Sequence, residues 1–415
     1  MRRRDPLITE VADAMLSDAF GDAICYDELL GRICVCGRLP WEDSETSVMR
    51  PWASTDDSAG YAYAQEIFDC GSERDFQHAL SIAASKRQVN PIIDMLDALP
   101  EWDGIPRMGT LMQTFLGAAS DDYTTEVERL LMGAALARTF DPGCKFDYMP
   151  VLIGHQGIGK STFIRKLALD ARYFTDSICG IGTKQAAELV QGKWFVELPE
   201  LAAMKGATLE AVKAFITRQA DEYRMPYARH VESRPRRFVL VGTTNVREFL
   251  TDLTGNRRFL PIKCGEQKPD LSLFSAEADR SFRQAWAEAY REYQQGTLGR
   301  SWQLVLSRSA SERAVELQAN SGVDDPRVGI IEQWLLGIDT GSIICTVQVL
   351  EQALGITREM QRRREQMEVS SLLQNVVAGI TPLEGKHRVG SYGVQRAYRV
   401  VGEQGSVANV ATSCP

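Results

Sequence analysis

The chain has 415 residues, 44% of them hydrophobic and 25% charged, with a formal net charge of −8. At about 100 to 200 residues per domain this length predicts two to four domains, and the composition is that of an ordinary globular protein. It excludes a general coat of positive charge, though not a locally basic nucleic-acid stripe; no apolar run reaches the roughly 18 residues of a membrane span, and MRRRDPLITE is basic without the apolar core of a secretory leader.

A cytoplasmic location is therefore expected. The nine cysteines are scattered and offer only one close pair, Cys34 and Cys36. Without a second pair zinc is not expected, and reduced, mostly buried thiols are.

In chain order, residues 1–100 read as a small mixed or helical domain in which patterns such as AYAQEIFDC and DFQHALSIAA alternate with polar stretches. Asp56 and Asp57 in WASTDDSAG read as turn residues with little basic support, not as a catalytic carboxylate pair. LPEWDGIPRMG, with its prolines and glycines, marks a boundary, and residues 101–147 form a helical collar containing the apolar VERLLMGAALA. Between residues 148 and 300 short apolar runs (MPVLIG, KWFVEL, RFVLVGTTN) end in polar turns and are separated by helical segments. That alternation predicts an α/β core with a mainly parallel sheet whose strand C-termini carry the site. SLFSAEADRSFRQAWAEAYREYQQG reads as one helix ending at Gly296. Residues 301–402 give helix, strand, helix, helix and hairpin, with Thr346 as an N-cap, an order that predicts a winged-helix domain; residues 403–415 read as a flexible tail.

GHQGIGKS, Gly154 to Ser161, fits G-x-x-x-x-G-K-[ST] between an apolar strand and a helix. In that setting backbone N–H groups wrap phosphates at a helix N-terminus. Gly154, Gln156, Gly157, Gly159, Lys160, Ser161 and Thr162 are thus expected to bind ATP, with Lys160 on the β and γ phosphates and Ser161 on Mg²⁺; a Gly-rich structural turn is the competing reading. WFVELPEL supplies Glu197 for the metal and Glu200 to orient water. On a regular strand those two would face opposite ways, but Pro199 can end the strand and turn Glu200 into the site; otherwise Glu200 is a solvated turn residue. Asn245, at the tip of FVLVGTTN, reads either as a contact to the γ-phosphate or attacking water or as a turn former.

Arg257 and Arg258 follow in TGNRRFLPI, and two permanent forked cations there need an anion. Strand, Gly-rich loop, acidic strand end, Asn-tipped strand and arginine pair, in this order, resemble the superfamily 3 helicase branch of the AAA+ ATPases. The resemblance makes Arg258 a finger on the γ-phosphate bound by the next subunit of a ring, expected to be a hexamer, with Arg257 at the interface or on the same phosphate; ion pairs with Asp252 or Glu248 are the alternative. WDGIPR, PGCKFDYMPVLIGHQGIGKST, YFTDSI, VKAFITRQADEYRMPYAR and FLTDLTGNRRFLPI resemble, more narrowly, the virulence-associated protein E family. Those are ATPases of bacteriophages, prophages and phage satellites, which implies action in replication of such an element inside a bacterial host cell.

The resemblance also implies single- or double-stranded DNA as partner, a pore-facing hairpin, and a separate primase or replication partner. Lys213, Tyr227, Arg229 and His230 are the implied DNA contacts, Arg229 and His230 on phosphates and Tyr227 as a stacking surface; a solvated basic loop is the competing reading. Arg362, Arg363 and Arg364 beside Lys386, His387 and Arg388 offer a second basic surface. A nucleotide-dependent switch that hydrolyses slowly and does not touch DNA remains the alternative function, while a small-molecule kinase leaves the arginine pair without a role.

Overall fold

The computed structural model describes residues 6–43, 49–178, 180–201, 206–223, 231–246, 256–319, 321, 326–375, 377 and 379–401. The chain divides into two compact units, residues 1–245 with 258–314, and residues 246–257 with 315–415.

The first unit opens with α1 (Ile8–Leu16), α2 (Ala19–Ala23), β1 (Ile24–Asp27), β2 (Arg32–Val35), β3 (Arg50–Pro51), α3 (Ser54–Ile67), α4 (Glu73–Lys86), β4 (Gln88–Val89) and α5 (Pro91–Asp97). Asp27 turns β1 into β2 by accepting the Leu29 and Leu30 N–H groups. Ser72 caps α4 through the Asp75 N–H, and Asn90 caps α5 with Pro91 at its first position. Val11, Met15, Phe20, Phe76 and Leu80 form the core, with Trp41, Trp52 and Tyr63 packed against it. Asp56 and Asp57 are corrected from a turn to the first turn of α3. Asp56 accepts the Ala53 N–H at 2.8 Å and pairs with Arg50 at 2.7 Å, while Asp57 accepts the Trp52 indole N–H at 2.7 Å. Asp56 thus satisfies the N-cap N–H of α3, and Asp57 holds the Trp52 indole and the Gln77 amide, so both carboxylates have structural partners.

α6 (Leu111–Leu116) and the almost wholly buried α7 (Asp122–Phe140) follow. The chain before and into α6 is tied to two buried carboxylates. Glu128 accepts the N–H groups of Gly109, Leu111 and Met112, and Glu288 those of Arg107 and Met108.

The α/β part contains β5 (Met149–Ile153), α8 (Lys160–Leu167), β6 (Phe174–Thr175), α9 (Lys184–Leu189), β7 (Phe195–Leu198), α10 (Gly206–Ile216), the hairpin of β8 (Ala220–Tyr223) and β9 (Glu232–Pro235), β10 (Val239–Thr244), β11 (Phe259–Lys263) and α11 (Ala276–Gln295). Five strands form one sheet in the order β11-β5-β10-β7-β6, and every neighbouring pair is parallel. Buried residues occupy all positions of β5, β7 and β10, as a sheet covered on both faces requires. Register aligns Thr244 with Ile153 and Gly242 with Leu198, so the loops after β5, β7 and β10 emerge at one edge.

α11 starts later than the sequence suggests. Ser272 Oγ accepts the Phe274 N–H at 3.2 Å and Ser275 Oγ donates to the Ser272 carbonyl at 2.7 Å, which holds SLFS as a turn before the helix. Gly296, at φ +78°, closes the helix as expected.

α12 (Arg308–Ala319) crosses the boundary between the units. The second unit contains α13 (Pro326–Leu335), β12 (Ile343–Cys345), α14 (Thr346–Gln352), α15 (Arg363–Asn375), β13 (Ile380–Pro382), β14 (His387–Arg388), β15 (Val394–Gln395) and β16 (Ala397–Val400). β12, β16 and β13 form an antiparallel sheet around Ile331, Val349, Leu373 and Tyr398, and β14 pairs with β15. The N-cap of α14 is Cys345; Thr346 is already helical.

Seven of the nine cysteines are described and unbridged, five of them buried. Among the described residues no helix is long and apolar enough to cross a membrane.

Candidate functional site

The site begins where β5 leaves the sheet. A Cβ on Gly154 would lie 3.0 Å from the Cys264 carbonyl oxygen, and Gly159, at φ +97°, would bring one within 2.6 Å of Leu273 Cδ1. Both positions need glycine, one for close approach and one for its backbone conformation. Gly159 caps α8, and Lys160 is its first residue.

Lys160 is 7% exposed, and its Nζ donates to the carbonyl oxygens of Gly154 at 2.5 Å and His155 at 3.0 Å and to Asn245 Oδ1 at 2.9 Å. Burial lowers its pKa below the ordinary lysine value. The loops after β5 and β10 are thus joined through one ammonium.

Beside it, Ser161 Oγ donates to Glu197 Oε1 at 2.8 Å, and Thr243 Oγ1 donates to the same oxygen at 2.6 Å. Glu197 is 1% exposed, and among the described residues its Oε2 has no hydrogen-bond partner. Burial raises its carboxyl above the usual range, against the pull of the two hydroxyls. An unpartnered carboxylate oxygen in the interior is costly unless a ligand completes it. Hydroxyl and carboxylate oxygens are hard donors of the kind a small divalent cation prefers.

Gln156, Gly157, Gly159, Lys160, Ser161, Thr162, Glu197, Glu200 and Asn245 all line one cleft of about 360 Å³. β7 ends at Leu198, and Glu200 sits in the left-handed region at φ +53°, which carries it to the same cleft as Glu197. Few residues other than glycine, asparagine or aspartate adopt that backbone, so the turn is strained.

Asn256–Arg258 is a short 3₁₀ turn leading into β11, with Arg257 exposed and Arg258 half-buried. Arg258 is not among the residues lining the cleft. Lys213 is 3% exposed and its Nζ donates at 2.7 Å to Oε1 of Glu210, a carboxylate that is itself exposed. Tyr227, Arg229 and His230, like Glu248 and Asp252, lie outside the described residues. The hairpin strands flanking 224–230 are anchored by Arg236, whose guanidinium pairs with Asp221 at 2.8 Å and lies 4.0 Å from the Phe215 ring centroid.

Thr243, Thr244 and Phe274 also line the cleft and escaped the sequence. Thr243 reaches Glu197 because β10 pairs with β7, a non-local fact. Phe274 stands at the cleft because a serine turn displaces it from α11, and no local signal distinguishes it from a helical apolar residue.

The model of the virulence-associated protein E-like domain matches residues 96–322, which contain the whole of this site. The chain belongs to the virulence-associated protein E-like family. Among solved structures, the A form apo structure of NrS-1 C terminal region-CTR(305-718) is similar over 96% of this chain and 100% of that one, with a TM-score of 0.52 and 13% identity. A second structure, the A form apo structure of NrS-1 C terminal region-CTR, matches over the same shares with a TM-score of 0.52 and 14% identity. At such identity the likeness speaks for the fold. No curated protein matches the sequence.

Proposed function

We propose that this virulence-associated protein E-like chain is a P-loop ATPase of the AAA+ type that moves or unwinds DNA in the replication of a phage, prophage or mobile element. The observation that carries the reading is the pairing of Ser161, Thr243 and the unpartnered Glu197 carboxylate oxygen with the Lys160–Asn245 contact at the ends of three parallel strands. Hydrolysis of a phosphoanhydride needs this set of groups: an ammonium for phosphate charge, a hydroxyl and a carboxylate for a cation, and a polar tip for water. The strand order, with the Asn-tipped β10 between β5 and β7, supports the AAA+ assignment.

In this reading the backbone N–H groups of residues 156–162 wrap the phosphates of ATP and Lys160 bridges its β and γ oxygens. Ser161 and Glu197 hold Mg²⁺, which when bound neutralises charge on the phosphates. Glu200 accepts a hydrogen bond from the attacking water and Asn245 positions that water or the γ-phosphate. Arg258 completes the site of the next subunit in a hexameric ring, with Arg257 at the same interface, which agrees with the absence of Arg258 from its own cleft. Tyr227, Arg229 and His230 are read as the DNA contacts, and the second unit as a winged-helix domain. The protein works in the host cytoplasm with a separate primase or replication partner.

The test is ATP hydrolysis by the purified chain with and without single-stranded DNA, at about 50 and 200 mM salt. The reading expects DNA to stimulate hydrolysis and high salt to remove that stimulation. Hydrolysis indifferent to DNA would favour a nucleotide-dependent switch.

A further inference from the structure

One aromatic ring stands at the lip of the cleft. Phe274 is 83% exposed, and among the described lining residues it is the only aromatic one. Its turn is nonetheless firmly held. The Leu271 N–H donates to the Thr114 carbonyl at 3.2 Å, Leu273 is buried, and Leu273 Cδ1 lies against Gly159 in the Gly-rich loop. Ser272 and Ser275 close the turn through their hydroxyls. The exposure of Phe274 therefore belongs to a turn fixed on the phosphate loop.

The rest of the cleft is mainly polar, with Lys160, Ser161, Glu197 and Asn245 gathered at the strand ends. A triphosphate engaged by those groups leaves a nucleoside whose base still needs an apolar face. An aromatic ring on a fixed backbone offers that face, and stacking accepts any base with enough π surface. We propose that Phe274 is the base platform of this site, and that the site takes purine nucleoside triphosphates, ATP and GTP alike, in preference to pyrimidine ones. The inference rests on the nucleotide reading above.

Equilibrium binding to the full chain with Mg²⁺ tests it, using ATP, GTP, CTP and inorganic tripolyphosphate as probes. Phe274→Ala is expected to weaken ATP and GTP about tenfold, as loss of a stacked ring does, and to leave tripolyphosphate unchanged. Phe274→Trp is expected to restore ATP and GTP, and the wild type to bind CTP more weakly than either. If Phe274→Ala binds ATP normally while Lys160→Ala does not, the platform is overturned and the nucleotide reading stands. If tripolyphosphate weakens in step with ATP, the ring acts by shaping the Gly-rich loop, and the platform is again overturned. ATP binding that is absent, or indifferent to Lys160→Ala, would overturn the nucleotide reading itself.

Discussion

Three oxygens hold the Lys160 ammonium, and two of them come from the loop that would wrap a triphosphate. Lys160→Ala is expected to reduce ATP hydrolysis to background, measured as phosphate release, with little change in thermal stability because a lysine so held adds no apolar core. Glu200 gives a sharper test, since its two roles separate. A left-handed non-glycine residue costs about 1–2 kcal/mol, and the added freedom of glycine in the unfolded chain offsets part of that gain. Glu200→Gly should therefore leave Tm unchanged or raised while hydrolysis falls; Glu200→Ala should lose hydrolysis and keep the strain. A Glu200→Gly protein that hydrolyses normally would show that this carboxylate is only a turn residue. Lys160 and Ser161 were legible in sequence because their spacing along one strand–loop–helix unit is local, and Glu197, 36 residues beyond Ser161, because it follows a short apolar run. Thr243 was not, since only the β10–β7 register brings its hydroxyl to Glu197.

Among the elements, the approach to α6 depends on two interior carboxylates more than on its own short helix. Burial pushes the Glu128 carboxyl from 4.5 up to about 7, against three backbone N–H groups and with Glu288 adding to the rise. A folded pKa above the unfolded one gives a stability contribution that is full below pH 4.5 and is lost as pH rises through about 7. Glu128→Gln removes the titration and disturbs the N–H acceptors, at a cost of about 1–3 kcal/mol. Its Tm deficit against wild type should thus be larger near pH 5 than near pH 8, and a deficit that grows with pH would contradict this. The strands of the parallel sheet were readable as apolar runs, whereas the start of α11 was not. SLFS has helical spacing, and only the serine hydroxyls decide otherwise.

For the whole molecule, the proposed ring makes a prediction that no single chain can satisfy. Arg258→Ala should abolish hydrolysis yet leave ATP affinity within a few-fold of wild type, because the finger serves a neighbour. Mixing Arg258→Ala with Lys160→Ala chains, each inactive alone, should recover part of the activity, since some intact clefts then face an intact arginine. No recovery in mixed assemblies would argue against a finger supplied in trans. The order of motifs is what suggests this architecture; the contact of Lys213 with Glu210 was hidden, because helical position alone does not say which neighbour a side chain takes.

Trp194 and Trp286 add a readout. Both are 0% exposed, with ring centroids 4.5 Å apart. Trp194 lies just before β7, and the Trp286 indole N–H donates to the carbonyl of Leu167, the last residue of α8, at 2.9 Å. The tilted pair therefore touches the far end of the helix that Lys160 begins. Its ultraviolet emission should be sensitive to small displacements of that helix, so that binding at the Gly-rich loop can be followed optically, without a label, from the opposite end of α8.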